Sequence, residues 1–160
     1  MSTYQGAGEL EAIHPDPIWR DRADFLIAAS IDGDDKMTRW EQLWARKIEG
    51  NHFEICCIPF FVYDLALGDE VQTDKDYVIS SVSKRSGRSS LRVWFGNSEN
   101  PEDRDNIMSF IQNKRLAYEW SSDNLLAIDL LDIEQSQGLE KFLRDIQFNS
   151  SLLFEYGYRH

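Results

Sequence analysis

Residues 40–58 read WEQLWARKIEGNHFEICCI, and this stretch decides the first part of the fold. Two runs rich in apolar and aromatic residues, Trp40 to Ile48 and Phe53 to Ile58, lie on either side of Gly50-Asn51. Apolar and aromatic residues favour strands, and glycine beside asparagine favours a tight reversal of the chain. The stretch therefore predicts a β-hairpin.

Further short strands are predicted on both sides of this hairpin. Residues 25–29 form an apolar run that ends in an aspartate-rich turn at residues 32–35. After the hairpin, the predicted elements are a turn at Leu67-Gly68-Asp69, strands at Glu70–Gln72, Tyr77–Val82 and Ser90–Phe95, and a turn at Ser86-Gly87. Short strands at this spacing predict a curled sheet or a small barrel over residues 22–95.

The pattern changes after Gly96. Asn100 can cap a helix, Pro101 suits its first position, and the acids that follow complement the helix dipole. Helical spacing appears at Ile107, Phe110 and Ile111, and again at Leu139, Phe142, Leu143 and Ile146. Between these segments lies the apolar run Leu125–Leu131, and the chain continues with an extended piece at Leu152–Phe154. The resulting β-α-β-α-β order resembles a ferredoxin-like unit over residues 96–160.

The chain as a whole is predicted to be an α+β protein. Residues 1–21 form a polar, proline-bearing leader that we expect to be flexible and loosely held. The β-rich part at 22–95 and the α+β part at 96–160 are expected to pack as one compact unit. With 160 residues, 42% of them hydrophobic, the chain can bury a substantial core.

The composition argues against several classes of function. The chain holds 28 Asp and Glu against 17 Lys and Arg, and at a formal net charge of −11 it would be repelled by nucleic-acid phosphates. No apolar run approaches the roughly 18 residues that a membrane span needs, and the N-terminus lacks the apolar core of a secretory signal. Cys56 and Cys57 cannot form a disulfide framework, so we expect a cytoplasmic protein with both thiols packed in its core.

No motif for catalysis, metal binding or cofactor binding is recognisable. The turn at 32–35 begins like a calcium loop, but Lys36 and Met37 stand where such a loop needs an oxygen ligand and a glycine. No histidine and cysteine set has zinc spacing, and no serine lies in a nucleophile elbow. We therefore expect no enzymatic activity, no metal and no cofactor. An unrecognised active site around Ser89 and Arg92 is the alternative.

One basic segment interrupts the acidic composition. Between Tyr77 and Ser98 there is no acidic residue, and the cations there are Lys84, Arg85, Arg88 and Arg92. One interpretation is that arginines and turn amides bind a phosphate or another anion. The other is that the cations pair with the surplus carboxylates of the chain itself. The second needs no special design and is favoured.

The aromatic residues are interpreted mainly as core. This applies to the tryptophans Trp40, Trp44, Trp94 and Trp120. Phe60-Phe61 follows Pro59 in a strongly apolar segment, and proline disfavours a central strand there. The phenylalanine pair is either a plug in the core or a patch that another protein covers, and the core is favoured.

Several of these segments together carry a resemblance to a known family. They are, in chain order, Leu43-Trp44-Ala45, Ile58-Pro59-Phe60-Phe61, Leu67-Gly68-Asp69, and Ser86-Gly87 with Ser89 and Arg92. A bacterial domain of unknown function has an LWA strand, an IPFF segment, a GD turn and an SGxSxxR hairpin in this order. The chain resembles that domain from about Glu41 to Trp94, and more loosely to its C-terminus.

The resemblance implies a function indirectly, because the family has no established activity. Its members resemble small acidic proteins encoded beside polymorphic toxins. This implies an immunity protein that binds a cognate toxin domain, such as a basic nuclease of contact-dependent growth inhibition, and covers its active site. The acids expected to contact the toxin are Asp32, Asp34, Asp35, Asp69, Asp74 and Asp76. The alternative is a non-catalytic regulatory module that binds a phosphate-bearing ligand through a basic hairpin with Lys84, Arg85, Arg88 and Arg92.

Overall fold

The computed structural model describes residues 9–32, 38–96 and 101–160, which form two β-sheets and two α-helices. The first sheet contains β1 (Glu9–Ala12), β2 (Phe25–Ser30), β3 (Arg39–Glu49), β4 (His52–Ile55), β5 (Glu70–Thr73) and β6 (Ile79–Lys84). The second contains β7 (Ser89–Trp94), β8 (Tyr118–Ser122), β9 (Leu125–Leu130) and β10 (Leu153–Tyr158). The helices are α1 (Pro101–Asn113) and α2 (Ile133–Gln147). The α+β fold class is confirmed.

The first sheet is built around the predicted hairpin. β3 pairs antiparallel with β4, and Gly50 in the connecting turn adopts a positive φ of 52°. The strand order is β1-β3-β4-β5-β6, with β2 also paired to β3. The sheet is curled strongly enough to bring β2 close to the start of β6. There the Ala28 N–H donates to the Tyr77 carbonyl at 3.0 Å. It stays open, so the curled sheet is the correct alternative and the small barrel is not formed.

The second sheet contains one strand more than predicted. Its order is β10-β7-β9-β8 with every neighbouring pair antiparallel, α1 lies between β7 and β8, and α2 lies between β9 and β10. The missed strand is β8, whose sequence YEWSS has too few apolar residues to predict a buried strand. The chain order is therefore β-α-β-β-α-β. Both predicted helices form, and the Asp132 side chain caps α2 by accepting from the Gln135 N–H at 2.9 Å.

The expected hairpin across Ser86-Gly87 is wrong. β6 pairs with β5 in the first sheet, whereas β7 pairs with β9 and β10 in the second. Gly87, with a φ of 87°, lies where the chain crosses from one sheet to the other. The Ser86 N–H donates to Asp69 at 2.8 Å and holds this crossing in place. The four predicted cations therefore do not share one hairpin.

The two faces of the second sheet pack against different partners. One face is covered by α1 and α2, with Leu91, Ile107 and Leu139 fully buried between them. The other face meets the segment that follows β4, where Phe60 packs with Ala127 of β9. The layer between the two sheets thus contains residues of the IPFF motif.

The described part of the N-terminal leader is integrated into the fold. Glu9–Ala12 pair in parallel with the start of β3, although we expected a loosely held segment. His14 follows with only 2% of its surface exposed. Residues 1–8 lie outside the described part of the chain. Cys56 and Cys57 are buried free thiols. Among the described residues, neither helix has the length and apolar character to cross a bilayer.

Candidate functional site

Two buried carboxylates hold the backbone of the IPFF segment. The N–H groups of residues 60–62 all donate to Glu41, at 2.7, 2.9 and 3.0 Å. The Ile58 N–H donates to Glu119 at 2.6 Å, and Pro59 has no N–H to satisfy. Buried backbone donors are costly when unpaired. Glu41 and Glu119 therefore fix a non-regular segment that neither sheet pairs.

His14 joins these carboxylates. Its Nε2 lies 2.8 Å from Glu41 and its Nδ1 lies 2.8 Å from Glu119. Burial alone would lower the pKa of His14, but its hydrogen bonds to Glu119 and Glu41 help to raise the pKa well above 6.5. Burial raises the pKa of the Cys57 thiol, so Cys57 is neutral and contributes no charge to this shift. The ring is an imidazolium between two carboxylates, and it ties β3 of one sheet to β8 of the other.

This arrangement decides the orientation of the aromatic residues. The Phe60 ring is fully buried and stacks on His14, with centroids 4.0 Å apart and planes 7° apart. The favoured interpretation of a core plug is correct for Phe60. Phe61 is only partly buried, and Tyr63 is 53% exposed at the surface. Ile58 and Phe60 thus belong to the core, whereas Phe61 and the nearby Tyr63 line a surface cleft.

The other wall of this cleft is the second sheet. Strand alternation directs Arg92 and Trp94 of β7 to the face that the helices do not cover. On β10, Glu155 lies opposite Arg92 and Leu153 lies opposite Trp94. Trp94 is 46% exposed, contrary to its predicted place in the core.

The cleft has a volume of about 990 Å³, within the usual size of small-molecule sites. Its lining combines aromatic and aliphatic side chains with a few charged groups. The lining includes Phe61, Tyr63, Arg92, Trp94, Leu125, Leu153 and Glu155, and beside the first sheet Glu11, Asp32 and Arg39.

Arg92 is the most unusual residue of the lining. It is 4% exposed, and within the described ranges none of its three guanidinium nitrogens has a hydrogen-bond partner. The nearest carboxylate oxygen, on Glu155, lies 3.4 Å from Nε, and the Tyr63 ring covers the guanidinium at 4.5 Å. Burial lowers the pKa of Arg92, and Glu155, Glu41 and Tyr63 oppose that shift. Gly157 gives the guanidinium its space, since a Cβ there would lie 3.1 Å from Nη2.

The other predicted cations lie elsewhere. Arg85 pairs with buried Asp69 at 2.9 Å, and Arg88 pairs with Asp129. Both border a separate cavity of about 280 Å³, together with exposed Lys84. Arg85 and Arg88 therefore follow the interpretation in which the chain's own carboxylates pair with its cations.

The predicted acids also differ in their surroundings. Asp69 is fully buried and accepts from Arg85 and from backbone N–H groups, so it cannot contact a partner protein. Asp32 pairs with Arg39 at 2.5 Å beside the cleft. Asp74 and Asp76 are exposed in the turn between β5 and β6, where Asp74 accepts from the Asp76 N–H at 2.9 Å. Asp34 and Asp35 lie outside the described residues.

Sequence reasoning missed three residues of this site, His14, Glu41 and Glu119. Glu41 lies between Trp40 and Leu43, in a strand whose neighbours predict burial, and that was a usable signal. His14 and Glu119 gave none, since their contacts span 27 to 105 residues of sequence. Within the ranges that the structure describes, no group of three or more His, Cys, Asp or Glu is arranged to hold a metal ion.

Comparisons with known proteins identify a family. A sequence model described as "Domain of unknown function (DUF4265)" matches residues 41–152. A solved structure, a hypothetical protein from Neisseria gonorrhoeae, is similar at a TM-score of 0.66 and 17% identity, covering 81% of this chain and 91% of that one. At this identity the likeness shows the fold alone. A search of curated proteins found no match.

Proposed function

The chain belongs to the DUF4265 family, a family of unknown function, and we propose that it is an immunity protein. In this proposal it binds a cognate bacterial toxin domain in the cytoplasm and neutralises it by covering the active site. The toxin would be a basic nuclease of the kind used in contact-dependent growth inhibition. The observation that carries the proposal is the formal net charge of −11 on a chain with a substantial buried core.

The distribution of ion pairs supports an acidic docking surface. Arg22 and Arg46 share Glu54, and Arg144 and Arg159 share Glu140, so several cations are concentrated on few carboxylates. The surplus acids remain to set the surface potential. Such a potential accelerates encounter with a cationic partner and disfavours acidic ones.

The acids that remain candidates for docking are the exposed ones. Asp76 donates from its backbone N–H within its turn, and its exposed carboxylate makes no ion pair with a described residue. Asp74 has one oxygen engaged in the same turn, and Asp32 shares its charge with Arg39. We propose the turn between β5 and β6 as the centre of the docking surface.

Co-expression with the toxin domain encoded by the neighbouring gene tests this function. The proposal predicts that the host survives and that the two proteins co-purify. Asp76→Lys should weaken protection, whereas Asp145→Lys, an equal change of charge on exposed α2, should not. Host death without a complex, or the absence of any toxin gene beside this one, would contradict the proposal.

A second candidate is a non-catalytic regulatory module that binds a phosphate-bearing or other anionic ligand. The observation that favours it is the buried guanidinium of Arg92, which has no hydrogen-bond partner among the described residues. Because Arg85 and Arg88 are paired elsewhere, Arg92 is the cation that this candidate retains in the cleft.

We also propose that residues 89–158 are a ferredoxin-like unit. The β-α-β-β-α-β order and the antiparallel strand order β10-β7-β9-β8 support this assignment. In such a unit the helices cover one face of the sheet, and the other is available for binding. Here that face packs partly against the segment that follows β4, and its remaining part, with Arg92 and Trp94, lines the cleft.

A further inference from the structure

The guanidinium of Arg92 is ion-paired with Glu155 at 3.4 Å, but none of its nitrogens has a hydrogen-bond partner among the described residues. Buried charged groups in proteins are paired and hydrogen-bonded, because burial without these contacts is strongly unfavourable. Arg92 lines the cleft, and its nitrogens are 3.4 Å or more from any carboxylate that it faces there. An anion within the cleft would supply the missing hydrogen bonds.

Glu155 is a weak substitute for that anion. Both of its oxygens accept from the Tyr63 hydroxyl, at 2.8 and 2.9 Å, and its 3.4 Å contact with Arg92 Nε is an ion pair without a hydrogen bond. The side chain of Glu155 is 54% exposed, so it lies at the solvent edge of the cleft. Tyr63 and Glu155 together cover the guanidinium from outside.

We propose that the cleft is a binding site for a small organic anion whose carboxylate or phosphate pairs with Arg92 after the Tyr63–Glu155 pair swings aside. Arg92 would present two parallel N–H groups to the anion, the geometry that arginine provides for carboxylates and phosphates. This inference deepens the second candidate function and does not depend on binding to a toxin.

The rest of the lining indicates the body of the ligand. Trp94 and Leu153 are exposed beside Arg92, with Leu125 and Phe61 also in the lining. These side chains fit an aromatic or aliphatic group, and Trp94 offers an indole face for stacking. Burying exposed apolar surface would contribute to affinity in addition to the ion pair.

The acids of the lining limit the charge of the ligand. Glu11 and Asp32 border the cleft, and Arg39 compensates Asp32 at 2.5 Å. Ligands with several phosphates would be repelled by the remaining carboxylates. The ligand class is therefore an amphipathic molecule with a single anionic group.

Two simple probes test the site on the full chain, the carboxylate indole-3-acetate and the phosphate phenyl phosphate, with neutral indole-3-acetamide as a control. Binding is followed by calorimetry and by NMR signals of the Arg92 Nε–H and the Trp94 indole N–H. The proposal predicts that at least one anion binds, with a Kd of about 1 mM or lower, and shifts both signals. The relative affinity of the two probes identifies the preferred anion, and the amide should bind at least about tenfold more weakly.

Variants distinguish anion binding at Arg92 from non-specific binding to the cleft. Glu155→Gln removes the competing carboxylate and should tighten anion binding by about 3- to 10-fold. Arg92→Met should abolish it, while Glu134→Gln on exposed α2 should leave it unchanged. If neither anion shifts the Arg92 signal in the wild type or in Glu155→Gln, the guanidinium is satisfied by water alone and the proposal is overturned. Equal binding of the amide would overturn it as well. These outcomes do not depend on whether the chain also binds a toxin domain.

Discussion

The ring of His14 lies flat against the ring of Phe60, 4.0 Å away, while its two nitrogens face the carboxylates of Glu41 and Glu119. A residue of the N-terminal segment therefore positions the IPFF motif between the two sheets. The buried charges are paired and hydrogen-bonded, which is the condition under which such groups are tolerated.

Replacing His14 should be severely destabilising. In His14→Gln two buried carboxylates lose their cation, and breaking a buried pair of this kind costs about 3–5 kcal/mol. Urea unfolding near pH 6 measures the loss. His52→Gln, at a partly exposed position of β4, should change the free energy of unfolding by less than about 0.5 kcal/mol. If the two variants lose the same free energy of unfolding, the buried His14–Glu41–Glu119 network does not stabilise the fold more than an exposed histidine does.

The raised pKa of His14 predicts how stability depends on pH. The folded pKa lies above the unfolded value of 6.5, so the contribution is complete below 6.5 and is lost as the pH rises through the folded pKa. Asp129, whose pKa burial raises to about 6 against the opposing effect of Arg88, has finished titrating by then. Above pH 6.5 and up to the folded pKa of His14, the wild type should lose up to about 1.4 kcal/mol per pH unit.

Measurement of unfolding free energies across that range checks this sign. In His14→Gln the loss between pH 7 and about 8 should disappear, and any loss that remains at higher pH belongs to Cys56 and Cys57, whose pKa values burial also raises. A wild-type profile that is flat or rises with pH would mean that His14 is neutral in the fold. The NMR signals of the ring offer a second readout, and they should show no titration near pH 6.5.

Glu41→Gln should loosen the IPFF segment in particular. The change removes the charge that accepts from the N–H groups of residues 60–62 and pairs with His14. We expect a loss of about 2–4 kcal/mol and faster hydrogen exchange at these amides. Glu49→Gln, at the exposed end of β3, is the matched control and should leave exchange unchanged. Unaltered exchange in Glu41→Gln would show that the segment is held by side-chain packing instead.

Two glycines should respond to alanine with opposite signs. At Gly157 a new Cβ would lie 2.8 Å from Ser90 Oγ and 3.1 Å from Arg92 Nη2. Gly157→Ala should therefore destabilise the fold by about 1–3 kcal/mol and displace Arg92. Gly138 lies in α2 with nothing within 4 Å of an added Cβ, so Gly138→Ala should stabilise by about 0.5–1 kcal/mol. Thermal unfolding of both variants measures these changes in stability. If Gly157→Ala is as stable as the wild type, the packing around Arg92 is not tight.

Much of the fold could be predicted because its signals are local. Gly50-Asn51 predicted the β3–β4 hairpin, and Pro101 with the acids after it predicted the start of α1. β8 was missed because its polar residues carry no periodic signal. The link at Ser86-Gly87 was misread because sheet membership depends on distant pairing, which a turn sequence does not specify.

The candidate site was harder to predict, because its residues come from distant parts of the chain. Arg92 was singled out by its charge, but its separation from Arg85 and Arg88 follows from strand alternation and from the partner acids Asp69 and Asp129. The proline and polar residues around His14 predict a loosely held segment. Only the packed structure shows that its neighbours are Glu41 and Glu119.

The proposed immunity role is tested by stopped-flow measurement of the association rate with the toxin domain encoded by the neighbouring gene, over a range of salt concentrations. An acidic docking surface predicts rapid association at low salt that slows by about tenfold or more toward physiological ionic strength, and a further slowing in Asp76→Lys but not in Asp145→Lys. An association rate that does not depend on salt or on Asp76→Lys, or no association at all, would contradict this role.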